Sequence, residues 1–435
     1  MKVIRIIAVC ALLALSAAAC SSSVTPVGSS AAPSAASTDS QGVTASTIKI
    51  GIMAPINSKA AIEAFAAVGL SVGNVPLEAR TVGNYIDAHG GIDGRKVVFA
   101  DFPYNMLTPS EASEDEAACT YWVQDQHVFA AIMPYNVTDQ QLACLAHGDT
   151  PLVEGLPGRL GTPSIMRTYN DFYFSPSDPP VRSWVTTMVN AFLSDGFFAP
   201  GTKIGVVRPG DSQWAYAESL MAGILAQHGQ KVAADAIVAS STEAKAAALR
   251  FKDAGINRVV IFDSSSGGET IVWMTTTAAE HYYPEVGFNS EDNPGGLTST
   301  IPVSAFAGSQ GVGWRPVSDV AYSRQPPANA TTALCLKLFA AVGEKYTNQL
   351  DSWTALSFCD GLLSLQAALK GAKVINPQTL AAGYQALGTS YTSALTFKAD
   401  FGPGRHAAAA EMESFAFHAA CKCIVYTGHF YPITG

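Results

Sequence analysis

Short apolar segments alternate with amphipathic or alanine-rich segments through most of the 435-residue chain. The apolar segments, which we interpret as strands, are residues 48–53, 96–101, 128–133, 151–153, 171–174, 203–207, 231–238, 257–262 and 285–288. This alternation predicts parallel sheets that are covered by helices on both faces. Because these units are too many for one compact sheet, we predict an α/β fold with two doubly wound parallel-sheet lobes.

The pattern changes after about residue 310. Two predicted helices, 329–347 and 352–370, are followed by short predicted strands near 394–398, 414–418 and 422–426. A chain that leaves one lobe, builds a second lobe and returns must cross between the lobes repeatedly. We predict hinge crossings near residues 175–180, 305–318 and 405–412. The predicted first lobe comprises residues 48–175 and 318–408, and the predicted second lobe comprises residues 176–317 and 409–435.

The chain begins with "MKVIRIIAVCALLALSAAAC", in which two cations precede an apolar core and small residues. Residues 1–19 are a predicted export signal that is too short to span a bilayer, and residues 20–47 are a predicted flexible tether. The segment resembles a bacterial lipoprotein signal, which implies acylation of Cys20. The lipoprotein pattern prefers Leu, Val or Ile three residues before the cysteine, where this chain has Ala17. Ala17, Ala18 and Ala19 also fit the A-x-A cleavage rule of ordinary secretion. We therefore predict an exported protein on the outer face of the cytoplasmic membrane, or a secreted or periplasmic protein if Cys20 is not lipidated.

Charge and cysteine content bear on the binding partners of the protein and on its disulfide bonds. The net charge of −9 becomes −11 once Lys2 and Arg5 leave with the signal, which argues against a nucleic-acid partner. Six cysteines remain beyond Cys10 and Cys20, and an even number in an oxidising compartment favours disulfides. The pairs that we predict are Cys119–Cys144 and Cys335–Cys359; Cys421 and Cys423 stay unassigned.

Residues 85–102 read "YIDAHGGIDGRKVVFADF" and contain three closely spaced glycines. A phosphate-binding loop follows a strand and opens a helix, whereas this segment follows a helical pattern and precedes an apolar run. We therefore predict that Gly90 and Gly91 end a helix and that Asp93-Gly94 forms the turn into a strand.

Three stretches resemble the leucine/isoleucine/valine-binding group of type I periplasmic binding proteins, the solute receptors of ABC importers. They are "GVTASTIKIGIMAPIN", "YIDAHGGIDGRKVVFADF" and "KIGVVRPGDSQWAYAESLMAGILAQHGQKV". The resemblance implies a monomer whose two lobes, joined by three crossings, close on a small molecule and deliver it to permease subunits. It also leaves open a ligand-sensing protein that signals to a membrane receptor.

Ligands of doubly wound sheets lie beyond the carboxyl ends of the strands. Twelve residues at such positions are candidate ligand contacts: Asn57, Ser58, Tyr135, Asn136, Glu154, Gly155, Ser212, Trp214, Asp263, Ser264, Asn289 and Glu291.

The resemblance also bears on the class of ligand. Amino-acid binders of the family grip the α-carboxylate with hydroxyl groups, but "VEGLPG" lacks such a hydroxyl and Glu154 would repel a carboxylate. Glu291 remains a candidate for binding an ammonium group, and Trp214 suggests a flat or apolar ligand face. A neutral, donor-bearing or partly apolar ligand is therefore favoured over a branched-chain amino acid.

Enzymatic functions receive less support. "PGDSQW" resembles the nucleophile block of GDS-type hydrolases, but no D-x-x-H motif follows it near the C-terminus. The eight histidines are scattered, and the chain lacks a zinc-protease motif, a phosphate loop and a dinucleotide fingerprint. We predict no catalytic activity, no cofactor and no metal.

Overall fold

The computed structural model describes residues 38–56, 73–105, 111–133, 138–154, 162–263, 267–346 and 349–433, together with residues 59 and 108. The predicted signal peptide, Cys20 and most of the predicted tether lie outside the described residues.

The described strands form two sheets. They are β1 (Thr47–Ile56), β2 (Lys96–Asn105), β3 (Ala130–Met133), β4 (Leu152–Glu154), β5 (Tyr173–Phe174), β6 (Ile204–Arg208), β7 (Val232–Ile237), β8 (Arg258–Ile261), β9 (Glu285–Phe288), β10 (Gln310–Gly313), β11 (Glu411–His418) and β12 (Cys423–Pro432). The first sheet has the order β2-β1-β3-β4-β5, and the second has the order β12-β11-β10-β9-β8-β6-β7. All pairs are parallel except β10–β11 and β11–β12. The two-lobe α/β prediction is confirmed, with an antiparallel edge added to the second sheet.

Helices cover both sheets. The described α-helices are α1 (Val75–Ala88), α2 (Glu111–Thr120), α3 (Asp139–His147), α4 (Pro163–Tyr169), α5 (Val181–Ser194), α6 (Ser212–Gln227), α7 (Ser241–Asp253), α8 (Gly268–Ala279), α9 (Pro294–Leu297), α10 (Pro316–Asp319), α11 (Ala330–Ala341), α12 (Gln349–Ala368) and α13 (Pro377–Leu387). Residues of α11, α12 and α13 share a buried apolar cluster with Ile48, Ile50 and Ile52 of β1. The C-terminal helices therefore pack on the first sheet, although they follow the second sheet in the chain.

The glycine-rich segment is a helix end, as predicted. The amide of Gly91 donates to the carbonyl of Ile86 at 2.9 Å, which closes the last turn of α1. Gly90, Gly91 and Gly94 have φ values of 100°, 72° and 81°, and Asp93 has a φ of 49°. Left-handed backbone of this kind favours glycine, and β2 begins directly after the turn.

The last part of the predicted tether differs from the sequence interpretation. The Asp39 carboxylate contacts Arg95 at 3.2 Å and accepts from the amide of Ile375 at 2.7 Å. The Gln41 side chain donates to the carbonyl of Gly148 at 2.8 Å. This segment is polar, but its partners lie far away in the chain, so it packs on the body.

Three chain segments cross between the sheets and contact one another. In the first two, β5 leads into Ser175 and β10 leads into Trp314; the third leads into β11. The amide of Ser175 donates to the carbonyl of His406 at 2.9 Å, and Arg315 forms an ion pair with Asp178. These contacts fall within the ranges predicted for the hinge, whereas the lobe boundaries themselves stay predictions. Residues 394–398, which we expected to be a strand, are irregular up to a single bridge at Ala399.

Six cysteines lie in pairs at bonding distance. The Cα atoms are 6.3 Å apart for Cys119 and Cys144 and 6.0 Å apart for Cys335 and Cys359. Cys421 and Cys423 form the third pair, in the turn between β11 and β12. These positions permit the two predicted disulfides and also a third that the sequence left unassigned.

Candidate ligand-binding cleft

The carboxyl ends of the central strands of both sheets lie next to the crossings. β1, β3 and β4 end at residues 56, 133 and 154 in the first sheet, and β6, β8 and β9 end at residues 208, 261 and 288 in the second. The first two crossings leave from the carboxyl ends of β5 and β10. We take the space beside these strand ends, between the two sheets, as the candidate cleft.

Half of the candidate contacts lie outside the described residues. They are Asn57, Ser58, Tyr135, Asn136, Gly155 and Ser264. Glu154 closes β4, where its backbone is paired with Met133 of β3. A ligand contact by any of these seven residues stays a prediction.

Trp214 lies in the hydrophobic core of the second lobe. Its side chain is only 1% exposed, and its ring centroid lies 6.5 Å from that of Trp184 and 6.1 Å from that of Phe262. Trp214 lies on the same helical face as Ala217, and both are buried in one apolar cluster. This position gives the tryptophan a packing role, while its contact with a ligand stays a prediction.

The other candidates of the second lobe lie at the start of local structures. Ser212 is the exposed first residue of α6. The Asp263 carboxylate accepts from the amides of Gly267 and Thr270 at 2.9 and 2.8 Å, which caps α8. The Asn289 side chain accepts from the amide of Glu291 at 2.8 Å and so fixes the loop after β9.

Arg315 connects this loop to the crossings. Its guanidinium contacts Asp178 of the first crossing and lies 3.4 Å from the Glu291 carboxylate. The side chains of Arg315 and Asp178 are fully buried, and that of Glu291 is 1% exposed. The guanidinium also lies 5.5 Å from the ring centroid of Trp314 and 5.0 Å from that of Trp353, a residue of α12. Arg315 thus contacts residues of both predicted lobes and of the first crossing.

Further carboxyl groups surround this arginine. Asp319 accepts from the amide of Arg315 at 3.2 Å and from the Tyr426 hydroxyl at 3.0 Å. Burial raises the pKa of Asp319 to about 7 and that of Asp360 to about 6. Burial also raises the pKa of Asp292 well above its usual range, and the nearby charge of Asp263 adds to this increase. Burial therefore shifts all three of these acids towards the neutral form.

Neighbouring carboxylates stabilise the positive charge of Arg315. Burial alone would lower its pKa, but the carboxylates of Asp178 and Glu291 outweigh that effect and raise the pKa above its ordinary value. Its Nε and Nη1 atoms have no acceptor among the residues that the structure describes. The arginine is therefore a charged donor held between the lobes, next to the cleft.

Solved structures of solute-binding proteins match most of the chain. The solute binding protein of an ABC transporter from Rhodopseudomonas palustris, in complex with p-hydroxybenzoic acid, has a TM-score of 0.65 and 16% identity, over 89% of this chain and 98% of that one. The branched-chain amino acid transporter substrate binding protein LivJ from Streptococcus pneumoniae, in complex with isoleucine, has a TM-score of 0.61 and 14% identity, over 89% of this chain and 100% of that one. A third, the ABC transporter substrate binding protein from Aeropyrum pernix, has a TM-score of 0.64 and 14% identity, over 90% of this chain and 97% of that one.

The chain has the type I periplasmic binding fold. The resemblance inferred from the sequence is thus confirmed at the level of the fold. No protein-family model matches the sequence, and no curated protein matches it either.

The described residues contain neither a metal-binding cluster nor a membrane-spanning helix. No group of three or more His, Cys, Asp or Glu side chains could hold a metal ion among the described residues. Within the same residues, no helix has the length and hydropathy of a membrane span. The loops after β8 and β9 consist of capped turns with buried carboxyl groups.

The stability of the protein is expected to increase as the pH falls from 8 to about 5, in part through Asp319. Its pKa is about 7 in the folded protein and 3.8 in an unfolded chain, so the folded state binds the additional proton in this window. Asp319→Asn mimics the protonated acid and should weaken this pH dependence. Denaturant unfolding of both proteins at pH 8 and pH 5 measures the difference.

The change in unfolding free energy between pH 8 and pH 5 is a slope for each protein. Comparing the slopes of wild type and Asp319→Asn separates the contribution of Asp319 from those of the other titrating groups. Asp360 contributes with the same sign, whereas His406, whose pKa burial lowers, contributes with the opposite sign in both proteins. Identical slopes for wild type and Asp319→Asn would show that Asp319 is ionised at pH 7 in the folded state.

Proposed function

We propose that this protein is an extracytoplasmic solute-binding protein that captures a small molecule by lobe closure and delivers it to an ABC importer, without chemical turnover. The observation that most supports this proposal is the presence of two mostly parallel sheets that are joined by three crossings, with the first two crossings starting at the carboxyl ends of β5 and β10. The match to solved solute-binding proteins along about nine-tenths of the chain supports this assignment.

Closure follows from the placement of ligand contacts on both lobes. A ligand shifts the equilibrium between open and closed forms only by its additional affinity for the closed form. The crossings act as the hinge, and short segments of this kind absorb the rotation of one lobe against the other. We propose lobe boundaries at residues 175–176, 317–318 and 408–409.

The ligand that we propose is neutral, donor-bearing or partly apolar. Asp263, Glu291 and Asp292 follow the carboxyl ends of β8 and β9, and an acid accepts hydrogen bonds from donor groups in either protonation state. The charge of Arg315 is already engaged by Asp178 and Glu291. The carboxylate of Asp263 and the side-chain amide of Asn289 already serve local turns, so we assign these residues to positioning the loops. Glu291 and the residues at the strand ends of the first lobe are the proposed ligand contacts.

A thermal-shift experiment tests both the function and the ligand class. The panel contains leucine, isoleucine, valine, benzoate and the neutral amide benzamide, and a ligand at 100 times its dissociation constant should stabilise by about 2.7 kcal/mol. We expect the neutral ligand to stabilise more than benzoate, which has the same ring. Tight binding of leucine, isoleucine or valine would contradict the ligand class, and conversion of a bound compound would contradict the function.

We also propose that the mature protein is anchored through a lipid on Cys20 and contains the disulfides Cys119–Cys144 and Cys335–Cys359. The small residues before Cys20 and the apolar segment support the anchor. A single fatty-acyl group binds a membrane only weakly, so stable anchoring requires acylation with at least two acyl groups.

Cys20→Ala is expected to move the protein from the membrane fraction to the soluble fraction. The substitution removes the only atom that could carry the thioether-linked lipid. Immunoblots of fractionated cells measure the distribution, and Cys10→Ala, within the predicted signal, is the matched control. Wild-type protein that is soluble and lacks the mass of a lipid would show ordinary secretion instead.

A further inference from the structure

A groove with a volume of about 450 Å³ lies beside the crossings and is lined by residues from both sides of the hinge. Met166 and Arg167 come from α4, Arg182 lies in the first turn of α5, and Arg405 and His406 lie at the start of the third crossing. None of the six candidate cleft residues that the structure describes contributes to its lining. We therefore treat the groove as a second site.

The groove is positively charged, although the whole chain has a net charge of −9. Among the described residues, three arginines line it and no acid does. Arg405 is paired with Asp400, while Arg167 and Arg182 have no ion-pair partner within the described part of the chain. Burial lowers the pKa of His406, while the carbonyl of Asn170, 2.6 Å from its Nδ1 atom, and the charge of Asp171 act in the opposite direction, so we do not count His406 among the charges of the groove.

Two further features determine what this groove can hold. Met166, Pro180 and Ile433 form apolar parts of its lining, and its volume is within the range of small-molecule sites. The N-cap of α5 is Pro180, which provides no side-chain acceptor, so the positive end of this 14-residue helix lies at the groove. A bare ion would leave the apolar lining without a partner.

We propose that this groove binds a small organic anion, a carboxylate or phosphate monoester with an apolar body. The guanidinium groups of Arg167 and Arg182 bind the anionic group, since their planar forks match two oxygens of a carboxylate or phosphate. The apolar body contacts Met166 and Ile433. Because α4 and α5 lie on opposite sides of the first crossing, the bound anion contacts chain segments on both sides of the hinge. This site is additional to the proposed solute capture and does not depend on it.

Calorimetric titration with phenyl phosphate at low ionic strength tests the proposal. The double variant Arg167→Gln, Arg182→Gln should bind at least about tenfold more weakly than wild type, since it loses charge-assisted hydrogen bonds. Arg250→Gln changes an exposed arginine of α7 outside the groove and should leave the affinity within about twofold. Inorganic phosphate, which lacks an apolar body, should bind more weakly than phenyl phosphate.

The result that would overturn the proposal is equal affinity of the double variant and wild type, or no binding of phenyl phosphate to wild type. Inorganic phosphate binding as tightly as phenyl phosphate would overturn the assignment of the apolar body. Vesicles that contain phosphatidylglycerol form a second arm. Vesicle binding that the double variant loses assigns the anion to a lipid headgroup, and binding of phenyl phosphate alone assigns it to a soluble metabolite.

Discussion

Replacing Arg315 with methionine is expected to lower the free energy of unfolding by about 3–5 kcal/mol at neutral pH. The substitution keeps the apolar stem but removes the charge that Asp178 and Glu291 face, and both carboxylates are at most 1% exposed. Breaking one side of a buried ion pair leaves the other side desolvated without compensation. Denaturant unfolding monitored by tryptophan fluorescence measures the loss.

Two controls distinguish this electrostatic effect from a packing defect. Arg80→Met removes an ion pair with Asp101 in which the arginine is 48% exposed, and it should cost less than about 1 kcal/mol. Arg315→Lys keeps a positive charge at this position, so it should cost less than Arg315→Met. An equal loss for the two substitutions would contradict the electrostatic account.

Removing either predicted disulfide is expected to lower the free energy of unfolding by about 3 kcal/mol in the chain-entropy model. The paired residues are 25 positions apart for Cys119–Cys144 and 24 positions apart for Cys335–Cys359, so each bond closes a long loop in the unfolded chain. The variants are the two double substitutions to alanine, which keep the buried sites apolar. Unfolding of the oxidised proteins measures the effect.

The pair Cys421 and Cys423 provides a matched control, because its sequence separation is only 2. Its loop is short, so its removal should cost clearly less than removal of either long-loop pair. Reductant opens all three bonds, so it should lower the stability of wild type at least as far as removal of either long-loop pair does. Free thiols at the four long-loop cysteines in oxidised native protein would contradict the prediction.

Much of the fold follows from local sequence patterns. All nine strands predicted before residue 290 are present, because each is a short apolar run between polar turns. β10 was missed because its sequence, "QGVG", contains two glycines and a single large apolar side chain. The third helix of the C-terminal group, α13, was also missed, although the capping residue Asn376 and Pro377 mark its start.

The site was less predictable than the fold. The burial of Trp214 had a signal in the sequence, since Ala217 and Met221 follow it at helical spacing on one apolar face. Arg315 had none, because its partner Asp178 is 137 positions away in the chain and the pair forms only after the crossings meet. Residues that act through tertiary contacts of this kind leave no periodic or local pattern.

The central claim is capture by closure, and small-angle X-ray scattering tests it most directly. The radius of gyration is measured with and without the compound that stabilises the protein most strongly in the thermal-shift panel. Our account predicts a smaller radius of gyration with the ligand, together with recovery of the compound unchanged, because contacts to both lobes favour the closed form. A compound that binds tightly and leaves the radius of gyration unchanged would contradict lobe closure.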